Sequence, residues 1–106
     1  MTAWIYLISA GLFEVLFAST LKLTENFTKP LPTIAFLVFA ATSFYLLTKA
    51  LAGIPIGTAY AIWTGIGAVG TVLVGIFFYN EPASILRLFF ISTLVISIVG
   101  LKVVSS

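Results

Sequence analysis

Four apolar runs divide the chain, separated by short segments that hold its asparagines and half of its charged residues. The runs cover about residues 3–21, 31–51, 56–78 and 84–104. A polar segment from Lys22 to Lys29 separates the first two. Ala52-Gly53-Ile54-Pro55 separates the second from the third, and Tyr79-Asn80-Glu81-Pro82 the third from the fourth. Runs of roughly 19 to 23 residues match a hydrocarbon core of about 30 Å at 1.5 Å of helix rise per residue. Lipid offers nothing to satisfy exposed backbone groups, so the runs are expected to be helices. All four prolines lie at the junctions, where a missing N–H costs nothing. The connections leave no room for a soluble domain. The expected fold is therefore an all-α membrane protein, one four-transmembrane-helix bundle spanning residues 1–106.

Composition agrees with this pattern. Of the 106 residues 61% are hydrophobic and only 8% charged, whereas a soluble domain carries roughly 25% charged residues. Five cations and three acids give a net charge of +2. That excess reads as topology signalling beside a membrane, and no clustered basic face suggests a nucleic-acid partner. The absence of cysteine and histidine excludes disulfides, thiol nucleophiles, Cys/His metal sites and histidine proton shuttles. No cofactor, metal or enzymatic chemistry is expected. The first run follows Met1 without a basic leader and is long enough to cross a bilayer, so it reads as a mature helix rather than a signal peptide.

Orientation is weakly encoded. Lys49 and Lys102 fall on the side of the N-terminus, and Lys22, Lys29 and Arg87 on the other. Orientation follows the Lys/Arg difference between short loops, so a difference of two against three permits either one orientation or insertion both ways.

Glu14 lies in the middle of the first run. A carboxylate at bilayer depth costs several kcal/mol unless it is protonated, paired or wet. All five basic residues lie near run ends, so the partner of Glu14 must be a proton or an external cation. Exchange of one for the other is the chemistry of a proton-coupled antiporter. Leu7, Ala10, Gly11, Phe17 and Ala18 share its helical face; the small residues permit close approach of a helix or a ligand, and Phe17 supplies an aromatic wall. In the second run Ser43 follows Thr42. Such a hydroxyl either bonds back to its own helix or serves Glu14 or a ligand.

In the third run Tyr60, Trp63, Thr64 and Gly67 form one stripe, and an aromatic pair opposite an acid suits a cation. Residues Gly65 to Gly70 match G-x-G-x-x-G, but inside an apolar run with no preceding strand the match has no dinucleotide meaning. The glycines there serve close packing or a kink. The phosphate-loop pattern G-x-x-x-x-G-K-[ST] is missing, which leaves an ion gradient as the energy source. In the fourth run Thr93, Ser97 and Gly100 make a small-residue face that suits either a dimer seam or packing within the bundle.

Taken together the chain resembles the small multidrug resistance (SMR) transporter family over essentially its whole length. The resemblance rests on Gly11-x-x-Glu14-Val15, Leu21-Lys22, Asn26-Phe27-Thr28-Lys29 with Pro32, Ser43-Phe44 with Leu46-Leu47, and the run from Pro55 through Tyr60 and Trp63 to Gly65. It implies an antiparallel (dual-topology) homodimer, or a heterodimer with a related chain, in the cell's inner membrane. It also implies that proton and a small organic cation compete for Glu14, surrounded by Gly11, Phe17, Ser43, Tyr60 and Trp63. Thr64 to Thr71 and Gly100-Leu101-Lys102 resemble the guanidinium-exporter branch, which typically carries Trp at the position of Phe17 and Tyr at that of Leu23. A Phe lacks the indole N–H that could hold Glu14, which would loosen selectivity. The other readings are an exporter of quaternary ammonium or other lipophilic drug cations, and a non-transporting membrane subunit or channel.

Overall fold

The computed structural model describes residues 2–105, which form four helices and no strand: α1 (Thr2–Leu23), α2 (Pro30–Ala50), α3 (Ile56–Phe78) and α4 (Ile85–Ser105). All four are long and apolar enough to cross a membrane. The helix starts follow the prolines. Pro30 opens α2 at a position whose N–H has no intrahelical acceptor, and Pro55 caps α3 in an extended conformation. The α1–α2 connection turns through Glu25, Asn26 and Phe27, all at positive φ. Buried Thr24 organises this turn, donating from its hydroxyl to the Leu21 carbonyl at 2.7 Å and accepting the Phe27 amide at 3.3 Å.

Helix α1 is the hub, packed between α2 and α3, while α4 meets only α3 along its backbone. The core gathers Leu7 and Ala10 of α1, Leu47 and Ala50 of α2, Ile54 of the turn, and Ala59, Ile62 and Trp63 of α3. Small residues determine how near the helices come. A methyl at Gly11 would lie 2.6 Å from Ile66, and one at Gly65 would lie 2.7 Å from Ile98. These glycines let α3 approach α1 on one side and α4 on the other.

The molecule measures 41 × 35 × 17 Å. It is a slab, much thinner in one direction than in the other two.

Candidate functional site

Glu14 projects from the middle of α1 toward α3. Its carboxyl group rests directly on Gly67, filling the space a Cβ would need there. A side chain at position 67 would oblige the acid to move aside. Oxygen Oε1 is buried and has no hydrogen-bond partner among the described residues. The other two acids behave differently. Glu25 pairs with Lys29 at 3.8 Å, and Glu81 with Arg87 at 2.7 Å, each near a helix end. Among the described residues Glu14 is thus the acid without an ion-pair partner.

Ser43 is fully buried on α2 and bonds to neither of its expected partners, its own helix or Glu14. Its hydroxyl donates to the Ala10 carbonyl of α1 at 2.7 Å and accepts the Trp63 indole N–H at 3.0 Å. Bonding back to the helix is what neighbouring Thr42 does, donating to the Val38 carbonyl at 2.8 Å. With its one proton spent on Ala10, Ser43 is a brace that joins three helices and sets the indole ring.

Around that ring lies an aromatic cluster. The Trp63 centroid is 5.3 Å from Phe44, 5.8 Å from Tyr60 and 6.5 Å from Phe17. Phe17 also stacks on Phe44 at 6.1 Å and meets the edge of Phe36 at 5.8 Å. Trp63 is buried and Tyr60 exposed, so the cluster runs from the core to the surface of the slab. Gly11 lies within the α1–α3 seam, against Ile66. Two neighbours of the site were not singled out from sequence as site residues, Gly67 as the floor under Glu14 and Phe44 in the aromatic wall. The stripe Tyr60-Trp63-Thr64-Gly67 carried the first signal, and the adjacency of Phe44 to Ser43 the second.

Four helices long and apolar enough to cross a membrane, the first carrying an acid at its middle, define an integral membrane protein. Residues 2–94 match the family described as Small Multidrug Resistance protein. The chain is 47% identical over 103 residues to the guanidinium exporter of Yersinia pestis, covering 97% of this chain and 99% of that protein. It matches the guanidinium exporter of Proteus vulgaris to the same extent. The guanidinium exporter of Salmonella typhimurium is 45% identical over 100 residues, 94% of this chain and 95% of that protein. The chain belongs to the small multidrug resistance family and is a multi-pass protein of the inner membrane.

Proposed function

We propose that the protein exports small guanidinium-type cations in exchange for protons, and that it works as a dimer whose two Glu14 carboxylates share one site. The observation that carries this reading is the contrast among the acids. Glu25 and Glu81 are paired at the helix ends, whereas Glu14 holds a buried oxygen with no partner among the described residues. A carboxylate kept this way accepts whichever cation arrives, and a proton and an organic cation exclude each other there. Guanidinium suits it because a planar, delocalised cation matches a carboxylate with two parallel hydrogen bonds. The relatives' names point to the same ion.

Two copies fit this reading because the core of one chain is filled by its own packed side chains. The small-residue face of α4 (Thr93, Ser97, Gly100) is exposed, and nothing lies within 4 Å of a Cβ placed on Gly100. That face therefore plays no part in packing within the chain and suits a second copy, in antiparallel orientation given the near-even basic count. In this reading Glu14 binds proton and substrate, Trp63 and Tyr60 offer π-faces to the cation, Ser43 fixes the Trp63 ring, and Phe17 closes the wall.

A second reading follows from Phe17 and Phe44. Their stacked rings add apolar surface and no hydrogen-bond donor, which favours larger lipophilic cations over guanidinium.

Purified protein in proteoliposomes decides between them. Guanidinium, rather than tetraalkylammonium, should release protons on binding, bind more weakly as pH falls, and accumulate against its gradient when only a proton gradient is imposed. Proton release by tetraalkylammonium alone would favour the second reading. Cation flux that a proton gradient cannot drive uphill would overturn exchange altogether.

A further inference from the structure

Helices α1 and α4 flank α3 without meeting each other along their backbones, and the space between them is a continuous apolar groove. One stretch is a hollow of about 290 Å³ between Leu12 and Val15 of α1 and Val95 of α4. The next, of about 500 Å³, runs past Ile8 to Trp4 and Lys102. Val99 lines both. An apolar cavity of about 150 Å³ already stays dry and takes up an apolar guest. Hollows of this size, open to a bilayer, are therefore filled by something apolar.

We propose that the groove is a binding site for an anionic phospholipid, with one acyl chain along α3 and the phosphate at Lys102. Three observations select this occupant. First, the end of the groove is chemically distinct: Lys102 lies over the Trp4 ring at 5.2 Å, where the start of α1 meets the end of α4. Lysine beside tryptophan marks headgroup depth, and a cation there complements a phosphate. Second, the length fits one leaflet. Trp4 to Val15 covers about 16 Å of helix, half of a core of roughly 30 Å, which suits an acyl chain rather than a crossing helix. Third, the groove face of α4 (Val95, Val99, Lys102) is diametrically opposite its small-residue face (Thr93, Ser97, Gly100) at 3.6 residues per turn. A second copy seated on the small residues leaves the groove facing lipid.

Native mass spectrometry of the full chain in mild detergent tests this, with palmitoyl-oleoyl phosphatidylglycerol and the phosphatidylcholine of the same chains as probes. Phosphatidylglycerol should be retained about fivefold better, because its phosphate carries a net negative charge to Lys102 whereas that of phosphatidylcholine is offset by the trimethylammonium group. Lys102→Gln should erase the headgroup preference and keep the residual binding of both lipids. Val99→Phe, and separately Val95→Phe, should fill the groove and lower retention of both. Equal retention of the two lipids by the parent would overturn the proposal. So would groove-filling variants that keep their lipid, including the case in which they lose dimer instead, which would assign the groove to a second copy.

Discussion

Helices α1–α3 and helix α4 are alike in length and apolarity, yet they are packed differently. Each of the first three buries residues in the core, and no residue of α4 from Ile85 to Val104 is buried. In lipid, apolar surface alone gives two helices no reason to associate, so contact depends on small residues and on buried hydrogen bonds. The three-helix unit has both. Gly11 admits Ile66, Gly67 admits Glu14, and Ser43 ties α2 to α1 and to Trp63. Helix α4 has Gly65 against Ile98 and little else. In the proposed function the chemistry therefore falls to the three helices that pack together, and the outlying helix is left for assembly.

Four substitutions test that division. Glu14→Gln is expected to have the largest effect. Proton-driven guanidinium uptake into proteoliposomes should fall to that of empty vesicles, while helicity and dimer formation persist. Retained uphill transport would mean that the site lies elsewhere.

Gly67→Val comes next. The new side chain claims the space of the Glu14 carboxyl group, and a displacement of about 1 Å at a reacting group costs roughly a hundredfold in rate. Transport should drop accordingly in a protein that still dimerises.

Bulk on the other side of the comparison should act through assembly alone. Ser97→Phe is expected to weaken dimerisation about tenfold, equivalent to about 1.4 kcal/mol, as read by energy transfer between labelled copies. If it instead alters cation binding at saturating protein concentration, α4 is not separate from the site.

The smallest effect is expected of Ser43→Ala. It leaves the Trp63 N–H without its acceptor and should cost about 1 kcal/mol of stability, measured by unfolding in detergent, with a shift in tryptophan emission.

The four helices are legible in the sequence because the bilayer imposes one length and one composition on every span. Glu14 is legible for the same reason, since no basic residue shares its depth. What sequence reading could not supply is the relative register of the helices. Ser43 had its own helix, Glu14 and a ligand as plausible partners, and only the crossing of α2 over α1 places it under Ala10 and Trp63. Gly67 stood among the five glycines between residues 57 and 75, and nothing local distinguishes the one beneath the acid. The isolation of α4 was equally hidden, because its composition is that of its neighbours.

The brace at Ser43 has one further consequence. In an α-helix the carbonyl of residue 10 is the acceptor for the amide of residue 14, so the oxygen that receives the Ser43 hydroxyl is also the anchor of the acid's own peptide. Trp63 hangs on that hydroxyl. A guest that tilts the indole therefore alters the competition between two donors at a single carbonyl. In the proposed function, one hydroxyl group would link occupancy among the rings to the posture of Glu14, one helical turn away, without any helix having to move.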